Sequence, residues 1–104
     1  MTVNQLIVDL RKVGYEANYR FAHILVNGTY YIKSFYNTGT SFVIQLDPKI
    51  GYNLNKFRNI LYLQKNNPII IDVPSRYINP TKLQGLVLYT EYDLNSEMLT
   101  IYFE

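Results

Sequence analysis

One histidine, eight carboxylates and no cysteine are all that this 104-residue chain offers to acid–base, nucleophilic or metal chemistry. His23 lies in the run ANYRFAHILV, between Phe21 and Leu25. There it reads as a neutral core residue with one hydrogen bond, since no second histidine or cysteine can join it as zinc ligand or activated nucleophile. The acids Asp9, Glu16, Asp47, Asp72, Glu91, Asp93, Glu97 and Glu104 are scattered. Glu91 and Asp93 share one face of a strand and Glu97 opens the next. At a hairpin tip they read as solvated turn residues, because catalytic metal sites need a concave pocket. Glycines 14, 28, 39, 51 and 85 stand alone, so no phosphate-cradling loop is present. The expectation is no enzyme, no cofactor and no metal.

The elements that position what remains start with Ala17–Asp47, read as three antiparallel strands. Asn27-Gly28 between two β-rich runs predicts a two-residue type I′ hairpin, with Leu25 opposite Tyr30 and His23 opposite Ile32. Alternation then puts Tyr19, Phe21, His23, Leu25, Tyr30, Ile32, Ser34 and Tyr36 on one face. For Asn37-Thr38-Gly39, a three-residue loop pairing Tyr36 with Thr40 adds Phe42, Ile44 and Leu46 to that face. A two-residue loop would flip them, and the first option is preferred because it makes one strongly apolar core face. The other face gathers Arg20, Tyr31, Lys33 and Phe35, a basic–aromatic patch and the candidate partner-binding site.

Thr2 and Gln5 have capping-box spacing, and Val3, Leu6, Ile7, Leu10 and Val13 follow helical spacing up to Gly14, a plausible C′ residue. Asn53 caps a second helix, with Leu54, Phe57, Ile60 and Leu61 as its buried stripe and Tyr52 and Phe57 at staple positions. Ile69–Val73, bracketed by Pro68 and Pro74, reads as an edge strand. Ser75–Lys82 is a loop, and Leu83–Tyr92 with Glu97–Phe103 forms a second hairpin. The result is one α+β domain over residues 1–104: an antiparallel sheet with two short helices on one face, in the order α-β-β-β-α-β-β-β.

A net charge of +2 is too small to demand a nucleic-acid partner. No apolar run is long enough to span a bilayer, and the opening MTVNQLIVDLRK lacks a signal peptide's charged start and cleavage site. Together with the missing cysteines, this fits a cytoplasmic protein without membrane attachment. Eleven tyrosines fit either strand propensity or a tyrosine-rich contact surface.

Three resemblances attach to particular residues. Asp47-Pro48-Lys49, closing the third strand, resembles the D-x-K element of restriction-endonuclease-like nucleases. That family also needs an upstream acidic ligand, and no Asp or Glu lies between Glu16 and Asp47. The α-β-β-β-α order of the first part is similar to double-stranded-RNA-binding domains. Their loop and helix-start motifs are replaced here by Val26-Asn27-Gly28-Thr29 and Asn55-Lys56-Phe57-Arg58. Met1, Val3, Asn4, Leu6 and Ile7 fit the opening M-x-[IV]-N-x-L-I of one family of small phage-encoded anti-CRISPR proteins. The resemblance implies inhibition of a type II effector nuclease. Members of that family are acidic DNA mimics, so a basic chain would have to inhibit by other means.

Together these readings predict a non-enzymatic protein-binding module, such as a phage or mobile-element inhibitor of a host defence protein, or a homo-oligomer. Its contact patch would be Arg20, Tyr31, Lys33 and Phe35. The alternative is single-stranded nucleic-acid binding on that same sheet face, with bases stacked on Tyr31 and Phe35.

Overall fold

The computed structural model describes residues 1–26, 28–73 and 83–104. Asn27 and the stretch 74–82, including the expected loop Ser75–Lys82 and Pro74, lie outside the described residues. The elements are α1 (Val3–Leu10), β1 (Asn18–Ala22), β2 (Tyr31–Asn37), β3 (Phe42–Asp47), α2 (Leu54–Leu61), β4 (Ile69–Val73), β5 (Leu83–Asp93) and β6 (Met98–Phe103). This is the expected α+β order, but the sheet is mixed rather than antiparallel.

Both helices start as their sequences dictate. The Gln5 N–H donates to Thr2 Oγ1 and the Thr2 N–H to Gln5 Oε1, a complete capping box. Asn53 Oδ1 accepts the Lys56 N–H at 2.8 Å. Val3, Leu6, Ile7 and Leu10 of α1 and Leu54, Phe57 and Leu61 of α2 are buried in one core, while Ile60 is half-buried. Gly14 does not close α1 in a left-handed conformation. Arg11 is the right-handed C-cap, and the chain runs on through short-range bonds from Lys12 N to Asp9 O and from Val13 N to Leu10 O.

The strand order is β1-β6-β5-β4-β3-β2, with β1/β6 and β3/β4 parallel and the other pairs antiparallel. Consequently β1 and β2 are not a hairpin. The chain instead reverses earlier, where Val26 N donates to His23 O at 3.0 Å and Leu25 N to His23 Nδ1 at 3.0 Å. An imidazole nitrogen thus holds a turn upstream of the expected Asn27-Gly28 pair. Freed from β2, strand β1 pairs with the last strand, Phe21 opposite Ile101.

Strand β4 is central rather than an edge. Its run Ile69-Ile70-Ile71-Asp72-Val73 is nearly all β-branched, as suits a strand flanked on both sides and half parallel. Pro68 sits just outside the ladder, its carbonyl accepting the Phe42 N–H at 2.9 Å, so its missing donor is not needed. The expected second hairpin is present, and β5 is long enough to serve two partners. Residues 83–86 pair with β4; from Val87 onward, across an irregularity at Leu88, the strand pairs with β6.

That handover curls the sheet around the core until its two edges approach each other. Tyr19 on β1 bridges them. Its hydroxyl accepts the Ile32 N–H of β2 at 3.0 Å and donates to the Tyr52 carbonyl at 2.5 Å, and its ring meets Tyr31 edge-on at 6.4 Å. Gly51 makes the approach of the following loop feasible, since a Cβ there would lie 2.3 Å from the Ile32 carbonyl oxygen. Burial raises the Tyr19 pKa from its ordinary value of 10.0, partly offset by the N–H of Ile32.

Tyr19→Phe leaves a buried N–H and a carbonyl without a partner and is expected to cost about 1–3 kcal/mol in urea denaturation. Because the folded state holds the Tyr19 proton where an unfolded tyrosine has lost it, stability falls as pH rises through and above about 10. Tyr19→Phe is expected to flatten that alkaline decline.

Candidate functional site

Inward and outward faces follow strand alternation with one interruption. Ile32 opposes Leu46, but after a bulge at Lys33 the partner of Phe35 is Ile44. One extra residue reverses the parity of everything after it. Phe35 therefore joins the core side, its ring 5.6 Å from Phe42 and 6.2 Å from Tyr52, while Tyr36 turns outward and is 43% exposed. The pairing of Tyr36 is with Val43 rather than Thr40, across a loop closed by Thr38 N to Ser41 O with Gly39 at φ 93°. Phe42, Ile44 and Leu46 nevertheless face the core with Ile32 and Phe21, as expected.

The four residues expected to form one patch are therefore not gathered on one face. Lys33 is exposed in the bulge, Tyr31 is half-buried against Tyr19 at the seam, and Phe35 points inward. Arg20 is exposed on the outer side of β1, where its Nε donates to Thr100 Oγ1 at 2.8 Å.

What the structure assembles instead is an outer sheet face opposite the helices. Register places Tyr36, Val43, Ile70 and Leu86 in one row across β2, β3, β4 and β5. The neighbouring row is polar, Ser34, Gln45, Asp72 and Gln84, with Ser34 Oγ donating to Gln45 Oε1. Beyond Leu86 the apolar row continues into Leu88 and Tyr89, which are 45% and 47% exposed. These two line a hollow of about 550 Å³ with His23, Ile24, Tyr102 and Phe103. Tyr89 and Tyr102 stack at 4.5 Å, and His23 lies over Phe103 at 4.9 Å. Ile24, at the turn, is 90% exposed.

A polar margin continues along β1, β5 and β6. The Tyr102 hydroxyl donates to Glu91 Oε2 at 3.1 Å, which raises the tyrosine pKa. The Asn95 N–H, then the Ser96 side chain, hold Asp93 below its ordinary value. Arg20 completes this margin beside Thr100 and Tyr102.

The D-x-K element has a local explanation. Asp47 Oδ1 accepts the Lys49 and Ile50 N–H groups at 2.8 and 3.1 Å, an Asx turn leading out of β3. Among the described residues no group of three or more His, Asp or Glu side chains is arranged to hold a metal. No helix of the described residues is long and apolar enough to cross a membrane. Sequence reasoning missed the outer face because its row depends on long-range strand pairing and on the Lys33 bulge, which has no local signature.

The parity reversal is testable by truncation. Phe35→Ala is expected to cost about 1–3 kcal/mol, below the roughly 3–5 of a fully buried phenylalanine, because the ring is half-buried. Tyr36→Ala is expected to stay within about 0.5 kcal/mol. Urea titration of both variants distinguishes this from the uninterrupted pairing, which reverses the order. With this geometry in place, comparison finds no matching protein-family model, no matching curated protein and no matching solved structure.

Proposed function

We propose that the chain is a non-enzymatic protein-binding module that docks through the outer face of its sheet. One observation carries this reading: Ile24, Leu88 and Tyr89 are all exposed and line one apolar hollow beside Tyr102, with exposed Leu86 two residues along the same strand. Scattered exposed apolar residues are ordinary, but a continuous patch with a polar rim is what interfaces use. Stacked Tyr89 and Tyr102 supply rigid aromatic area with hydroxyl handles, the residue type enriched at binding hot spots. Arg20, Glu91 and Asp93 form the rim and would set orientation more than affinity.

Inhibition of a host defence protein, including a CRISPR effector nuclease, is one form this activity would take. Val3, Leu6 and Ile7, which carry the resemblance to anti-CRISPR proteins, are buried in α1. Helix burial accounts for them without a functional role, so the sheet face is where such an inhibitor would make contact.

The double variant Leu88→Lys/Tyr89→Ala tests the reading. Both positions are exposed, so the thermal transition is expected to remain close to that of the parent. In affinity capture from source-cell extract with quantitative mass spectrometry, a true partner is retained by the parent and lost by the variant. Its Kd is expected to rise about 30-fold or more, as for loss of a central hot spot. Equal retention by both proteins would reject the face. Concentration-dependent sedimentation that disappears in the variant would identify the partner as a second copy.

A further inference from the structure

The helical side of the molecule carries a second concavity, chemically unlike the sheet face. On α2, Leu54, Phe57 and Leu61 point into the core, while Asn55, Arg58, Asn59 and Tyr62 follow i, i+3, i+4, i+7 spacing on the other side. Facing them are Arg11 and Tyr15 from the end of α1 and the turn after it. These six residues line a hollow of about 490 Å³, within the roughly 300–1,000 Å³ of small-ligand sites. An adjoining hollow of about 380 Å³ shares Arg11 and Tyr62 and adds Asn4, Ile7, Val8 and Gln64. The result is a groove between the two helices.

Its composition is selective. Two guanidiniums line it and no carboxylate does. Arg58 is held in place by its Nη2 on the Val13 carbonyl at 3.4 Å and by the Tyr15 ring 5.9 Å away, yet its buried Nε has no hydrogen-bond partner. Asn55 Nδ2 reaches the Tyr15 carbonyl at 3.4 Å and fixes the segment that carries the ring. Tyr15 and Tyr62 are 82% and 53% exposed, large ring faces in a concave setting. Arginines meet phosphate oxygens, exposed rings accept bases by stacking, and amide side chains can donate to and accept from base edges. A nucleotide unit engages the arginines, the ring faces and the asparagines together.

We propose that the groove between α1 and α2 binds a nucleotide unit, with its phosphate against Arg11 and Arg58 and its base against an exposed tyrosine ring. The unit is either a free nucleotide or part of a single strand. The second hollow, sharing Arg11 and Tyr62, gives a strand room for a following unit. This site lies on the helices and is independent of the sheet face proposed for protein docking.

Fluorescence anisotropy on the full chain tests the proposal at low salt, with a labelled oligothymidylate of about ten nucleotides and with a fluorescent adenosine diphosphate. At least one probe is expected to bind, and binding is expected to weaken with added salt. Binding of the oligonucleotide alone assigns a strand; equal binding of the diphosphate assigns a free nucleotide. Arg11→Glu and Tyr62→Ala, both at exposed positions, are each expected to weaken binding about fivefold or more without changing the melting curve. Lys49→Glu, an exposed charge change outside the groove, is expected to leave it unchanged apart from a small effect of net charge. Binding of neither probe, or equal weakening by Lys49→Glu and Arg11→Glu, would overturn the proposal. So would capture of an oligoglutamate peptide in preference to both nucleotides.

Discussion

A phenolic hydroxyl does the work of a missing ladder rung in this fold. Strands β1 and β2 are the two ends of a six-stranded order, and each would present unpaired backbone groups along a free edge. Because the sheet curls, Tyr19 reaches across the gap, satisfying the Ile32 N–H on one strand and the Tyr52 carbonyl on the loop leading to α2. Buried polar groups of the backbone are costly when left unpaired, so the closure of the sheet and the placement of α2 hinge on the same oxygen. The close passage at Gly51 follows from it, as does the half-burial of Tyr31.

Local signals were legible wherever local chemistry decides. Thr2 with Gln5 and Asn53 with Lys56 mark helix starts by bonds only a few residues long, and both helices begin where those residues stand. The core members Phe21, Ile32, Phe42, Ile44 and Leu46 were readable from alternation. Pairing partners were not. Asn27-Gly28 is a strong hairpin signal, but it is short-range, and the His23 turn together with the offer of a parallel partner in β6 overrides it. Proline brackets around β4 pointed to an edge, whereas its continuous β-branched run pointed to burial on both sides, and the run prevailed. The bulge at Lys33 has no glycine to announce it. For that reason the expected patch of Arg20, Tyr31, Lys33 and Phe35 separates into four different settings.

The surplus of tyrosine resolves into distinct uses. Tyr19 and Tyr30 are buried, Tyr89 and Tyr102 are stacked on the outer face, and Tyr15 and Tyr62 flank the groove between the helices. Buried, stacked and exposed tyrosines thus occupy separate parts of the molecule, the first in the core and the others on its surface. The helices pack on the inward side of the sheet, and on the outward side exposure is concentrated at Tyr36, Leu86, Leu88 and Tyr89 while Val43 and Asp72 are themselves buried.

The parallel pairing of β1 with β6 has a kinetic implication. Asn18 to Ala22 cannot find their hydrogen-bonding partners until Met98 to Tyr102 have been synthesised. Until then a ribosome-borne chain must keep an early strand, and the Phe21 side chain it presents, waiting in an incomplete structure. Closing so long a loop is entropically unfavourable and slow, so β1 joins the sheet later than the strands paired through short connections.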